Sequence, residues 1–143
     1  MNLGTAGAIL SYALELETKS NEFYESVLND NLDSNKKEAF LAIRRQHQKI
    51  IKTLNRMRKE NVTEMILEPI HGFESDAYIL EISDSLNAAS VIATSKQIED
   101  TISKFLSKSA MKVTFLPELS QMLVDLVDRI NKNLETISLI DSS

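Results

Sequence analysis

Apolar residues return along most of this chain at three- and four-residue steps, the spacing of one helix face. The first such run carries Ile9, Tyr12, Ala13, Leu16, Ser20, Phe23, Tyr24 and Val27. It predicts a helix from about Leu3 or Thr5 to Leu28, closed by the turn-forming Asn29-Asp30-Asn31. A second stripe is Phe40, Ile43, His47, Ile50, Leu54 and Met57. Its strict 3-4 alternation is the seam of nearly aligned helices. With Asp33 or Ser34 as its cap, this helix runs to about Asn61. A third face, Ala88, Val91, Ser95, Ile98, Ile102, Phe105 and Leu106, predicts a helix from Ser83 or Asp84 to about Ser109. A fourth, Leu119, Leu123, Leu126, Ile130, Asn133, Ile137 and Ile140, begins between Thr114 and Pro117, where Pro suits a first turn and Glu118 complements the helix dipole. Residues 62–83 are the least regular. Glu68-Pro69-Ile70-His71-Gly72 reads as a loop with His71 exposed. Tyr78 to Ile82 fits either a short helical turn or an extended piece. About twenty residues suffice to run along a bundle and join two helices pointing the same way.

Composition agrees with an all-α, single-domain chain over residues 1–143. There are 3 Gly and 2 Pro, and no strong chain breaker falls between residues 8 and 68. The absence of cysteine excludes disulfides, thiolate metal sites and a cysteine nucleophile. A net charge of −5 disfavours nonspecific binding to nucleic acid or an anionic membrane. The basic run Lys49, Lys52, Arg56, Arg58 and Lys59 has no interleaved aromatics and reads as a solvated face. No apolar run approaches the ~20 residues of a bilayer span, and the N-terminus lacks a secretory pattern. The expectation is cytoplasmic residence.

Three polar residues interrupt these faces. Glu17 lies on the shoulder of the first, beside Ala13, Ser20 and Tyr24, and Glu99 holds the same place on the third. His47 occupies a seam position, with Arg44 one turn before it. Sliding the third helix over the first by 82 residues pairs Glu17 with Glu99 and Phe23 with Phe105. Sliding the fourth over the second by 83 pairs Phe40 with Leu123 and His47 with Ile130. This suggests a duplicated helical hairpin. Two readings stay open for the polar residues. The glutamates reach water by their own length and His47 is a satisfied core histidine, or all three point into one interior layer and form a site for a divalent metal.

The chain resembles the ferritin-like, rubrerythrin-type di-iron carboxylate family. The resemblance rests on Ala13-Leu14-Glu15-Leu16-Glu17, on Glu22-Phe23-Tyr24, on Leu41-Ala42 ahead of His47, and on the Glu99/Phe105 echo. It implies a ferritin-like four-helix bundle with a long connection between the second and third helices. Such proteins carry one Glu on the first and third helices and Glu-x-x-His on the second and fourth. Glu17, Glu99 and His47 match three of these six ligands. Arg44 stands where a Glu is expected, and Val127 and Ile130 stand where Glu and His belong. The resemblance therefore implies a degenerate metal site, with Arg44 neutralising Glu17 and Glu99 in the metal's stead. On that arrangement Arg44→Leu would cost about 3–5 kcal/mol.

The sequence thus favours a bundle without a functional di-iron centre or cofactor, acting as a binding or structural protein. The alternative is a metal-binding oxidoreductase or iron-handling protein that uses Glu17, His47 and Glu99 with iron or another divalent cation. A homodimer is expected, with Leu10, Leu14, Ile51, Ile92, Met122 and Val124 furnishing the interface. Asn133 is read as a residue that fixes register or sits at an open end.

Overall fold

A computed structural model describes residues 1–30, 32–60, 69–82 and 87–141. Four helices dominate: α1 (Ala6–Leu28), α2 (Ser34–Glu60), α3 (Ala88–Lys112) and α4 (Pro117–Asp141). Each forms where the 3.6-residue pattern is strongest, and each buries that face. The ends follow local chemistry. The Thr5 hydroxyl accepts from the Ala8 amide at 3.0 Å and starts α1. Asp33 does the same for the Lys36 amide ahead of α2. The third helix starts later than expected, because Asn87 accepts from the Ser90 amide and sets its first turn. It also runs past Ser109 to Lys112. The Ser109 hydroxyl bonds back to the Phe105 carbonyl and so stays within the helix.

The helices stand in the order α1, α2, α4, α3 around the bundle. α1 packs on α2 and α3, and α4 packs on α3 and α2. Cross-helix pairs fix the directions. Tyr24 meets Phe40 and His47 of α2, while Tyr12 meets Phe105 and Tyr24 meets Glu99 of α3. Lys96 pairs with Asp141, and Ser103 with Asn131. α1 is therefore antiparallel to α2 and α3, α3 is antiparallel to α4, and α2 and α3 point the same way.

Residues 61–87 join those two parallel helices, and the described piece, 69–82, lies along α1 and α3. At one end it pairs with the N-terminus through Leu3 N to Phe73 O, Ile70 N to Gly4 O and Ser75 N to Met1 O, at 2.8–3.0 Å. The turn at the expected loop needs Gly72, whose φ of 70° suits glycine. A short 3₁₀ turn spans Ser75–Ala77. Beyond it Tyr78 to Ile82 is irregular, neither helix nor strand, so the helical turn lies just ahead of that stretch and not within it. There the Tyr12 hydroxyl donates to the Tyr78 carbonyl at 2.6 Å, and Gln97 holds Ile79 and Glu81. Phe105 sits against the rings of Tyr12, Phe73 and Tyr78, with centroids 5.2–5.5 Å away.

This third neighbour widens the buried arcs of α1 and α3 beyond a two-sided seam. Leu10 and Ile92, expected at a dimer interface, are buried within the chain itself. Val124 is exposed, as is Met111 near it on α3. Among the described residues no helix is long and apolar enough to cross a membrane.

Candidate functional site

One polar layer crosses the apolar core, and every helix contributes to it. α1 supplies Glu17 and Tyr24, α2 His47, α3 Glu99, and α4 Asn133. All five are buried, with His47 and Glu99 at 0% exposure and Glu17 at 1%. Of the two readings of the glutamates, the inward one holds. Their helix arcs close over them, so the side chains cannot reach water.

His47 is the centre. Its Nδ1 bonds to Glu17 Oε2. Its Nε2 lies 2.8 Å from both oxygens of Glu99. Glu99 takes two further donors, the Tyr24 hydroxyl at 2.9 Å and the Asn133 amide at 2.7 Å. Tyr24 also stacks on the imidazole, with the ring planes 23° apart. Glu17 and Glu99, the two residues that the 82-residue offset pairs, meet different ring nitrogens of His47. On α4 the equivalent of His47 is Ile130, buried and apolar, and Asn133 one turn later completes the layer instead.

Electrostatics follow from burial. Burial by itself would strip the proton from His47. The charges of Glu17 and Glu99, and hydrogen bonds to both, outweigh it and hold the pKa well above the ordinary histidine value. An imidazolium donates from both nitrogens, one to each carboxylate. Glu17 is less well served. Burial raises its pKa against the opposing pull of His47, and its Oε1 has no hydrogen-bond partner among the described residues. Ser20 Oγ, Asn21 Oδ1 and Arg44 Nε share that condition, so the unsatisfied polar atoms gather on the α1–α2 side. Burial, followed by the Glu99 charge, pushes the Tyr24 hydroxyl well above its ordinary pKa and keeps it a donor.

Arg44 does not enter this layer. Its guanidinium turns outward to Glu25 at 3.2 Å, in a partly exposed pair. The cation between Glu17 and Glu99 is the imidazolium, because only the seam position aims inward and Arg44 lies at the seam's edge. Arg44→Leu is therefore expected to cost under about 1 kcal/mol in urea unfolding, as exposed pairs do. A loss of several kcal/mol would return Arg44 to the interior.

The residues were tested against a metal. A tetrahedral cation between His47 Nε2 and a Glu99 oxygen, at about 2.0–2.2 Å from each, would hold the nitrogen and oxygen roughly 3.4 Å apart. The observed 2.8 Å is a hydrogen-bond distance. Both ring nitrogens are spent on carboxylates, and α4 offers Val127 and Ile130 at the ligand positions. The set does not fit a di-iron centre. Among the described residues no group of three or more His, Asp or Glu is arranged to hold a metal ion.

Sequence reasoning brought Glu17, His47 and Glu99 together and missed Tyr24 and Asn133. Two signals were available. Tyr24 lies two turns beyond Glu17 on the same face, and Asn133 is the one amide in the α4 seam. Comparison with family models, curated proteins and solved structures returns no match for this chain.

Proposed function

We propose that this chain is a ferritin-like bundle in which a protonated histidine has replaced the metal centre, and that it acts as a binding or structural protein. The observation that carries this reading is the engagement of both His47 nitrogens by carboxylates inside a sealed layer. A nucleophile, general base or metal ligand needs a free lone pair and a path for its substrate. His47 offers neither. The ferritin-like ancestry draws support from the parallel α2 and α3, from the connection lying along the bundle, and from the paired glutamates. The rival, a metal-binding oxidoreductase or iron-handling protein, draws on the same convergence of Glu17, His47 and Glu99.

Native mass spectrometry of protein purified without chelators separates the two, and it reads assembly at the same time. The expected species is a metal-free homodimer. Adding iron(II), manganese(II) or zinc(II) is expected to leave the melting temperature unchanged, whereas a real site at a hundredfold excess over Kd adds about 2.7 kcal/mol. One or two cations per chain, lost in Glu17→Ala, would establish the rival. A monomer would remove the dimer from the reading.

A further inference from the structure

A cleft of about 360 Å³ opens between α2 and α4, neighbouring helices that are not consecutive in the chain. Ala42, Ile43 and Gln46 line it from α2, and Arg129, Lys132, Asn133 and Thr136 from α4. That volume is in the range of small-molecule sites. Its lining is polar and cationic in a chain whose net charge is −5. Among the described residues the carboxylate ion pairs of Lys and Arg fall on Lys36, Arg44, Arg56, Lys96 and Lys104, and Arg129 and Lys132 are outside that set. Asp128 and Glu135, acidic neighbours on the same stretch of α4, do not line the cleft.

Spacing narrows the ligand. Arg129 and Lys132 are three residues apart on one helix, which puts their Cβ atoms about 5–6 Å apart. Two cations so close suit one doubly charged head better than two separated carboxylates. A phosphate monoester carries about −1.5 to −2 charges at neutral pH on a single tetrahedral group. Arginine meets it with a fork of N–H donors and lysine with a point charge. Gln46 adds an amide across the cleft. Asn133 is 3% exposed and borders the cleft from within. Its NH₂ has two hydrogens, of which the bond to Glu99 uses one. Its placement makes it the link between the cleft and the buried layer.

We infer that the α2–α4 cleft binds a small phosphate-bearing molecule, with the phosphate on Arg129 and Lys132 and the remainder over Ala42 and Gln46 toward Asn133. This goes beyond the reading of the buried layer and holds whether or not the bundle descends from ferritins.

The test is a two-dimensional NMR titration of the full chain with inorganic phosphate and with phenyl phosphate. Succinate and sodium chloride at matched ionic strength are the comparators. Saturable shifts are expected at Arg129 Nε and at the side-chain amides of Gln46 and Asn133, with phenyl phosphate the tighter probe. The double variant Arg129→Gln/Lys132→Gln is expected to weaken binding about tenfold or more. These side chains are exposed, so the variant is expected to fold. Lys19→Gln/Lys108→Gln, with the same charge change elsewhere, is expected to bind as the parent does. Several results would overturn the assignment: no saturable shift, shifts centred elsewhere, equal weakening by both double variants, shifts reproduced by chloride, or succinate binding as tightly as phenyl phosphate.

Discussion

His47→Leu is expected to destabilise the fold by about 3–5 kcal/mol near pH 7, the range for removing one partner of a buried ion pair. The loss is large because two carboxylates share this cation. Glu99 keeps Tyr24 and Asn133 as donors, but Glu17 loses its one partner among the described residues. The effect depends on pH with a definite sign. The folded pKa of His47 is raised, so its contribution is complete below its unfolded value of about 6.5 and fades as pH climbs through the folded value. Glu17 is also raised, so the native state holds its proton more tightly, and that contribution fades as pH rises from the ordinary carboxylate range. In the variant the stranded Glu17 carboxylate, whose pKa burial raises, can still take up a proton in mild acid. The gap between parent and variant should therefore be widest near neutrality, smaller at pH 5, and smaller again once alkaline pH discharges His47 in the parent. Urea unfolding at several pH values reads this directly. Adding Glu17→Leu to His47→Leu should recover part of the loss, because it removes a buried charge with no donor left. A gap below about 1 kcal/mol at every pH, or a double variant worse than the single, would mean that the layer is not held by an imidazolium.

Phe105→Ala is expected to cost about 3–5 kcal/mol, as a cavity in a close-packed aromatic cluster does. Phe105 is fully buried and meets Tyr12 of α1 together with Phe73 and Tyr78 of the connection. Its loss should also loosen the strap. Hydrogen exchange at the Leu3, Ile70 and Ser75 amides, which close the strap onto the N-terminus, should accelerate more than exchange within α4. Phe23→Ala is the control. Phe23 is the residue that the 82-residue offset pairs with it and is also buried, but it packs edge-on against Tyr24 rather than on the strap. It should lower stability and leave strap exchange in step with the rest of the chain. Equal acceleration in both variants would refute the special role of Phe105.

Much of the site was legible in the sequence because helices convert spacing into direction. Glu17 and Glu99 sit at one shoulder position of two matching helices, and His47 interrupts a strict seam. Those three residues do meet. Arg44 was misplaced because sequence shows that a cation lies near a seam but not which way a long, flexible side chain turns at its edge. Glu25, on a different helix, decides that. Tyr24 looked like core, and its hydroxyl became meaningful only when α3 brought Glu99 within 2.9 Å. Asn133 looked like a register device because its partner lies 34 residues away on another helix. Leu10 and Ile92 fall outside the two-sided seams, so they looked available to a partner chain. They are buried in a chain whose connection adds a third neighbour to α1 and α3.

Helix number, helix faces and the candidacy of Glu17, His47 and Glu99 were set by the sequence alone, because periodicity and capping act within a turn or two. Tertiary structure decided the rest: the path of 69–82, the outward turn of Arg44, the recruitment of Tyr24 and Asn133, and the opening between α2 and α4. Each depends on which side chains from different helices arrive at the same point, and no local pattern carries that information. The protonation of His47 is the clearest case. An isolated histidine in an apolar seam would be neutral, and this one holds its proton because two helices each deliver a carboxylate to it.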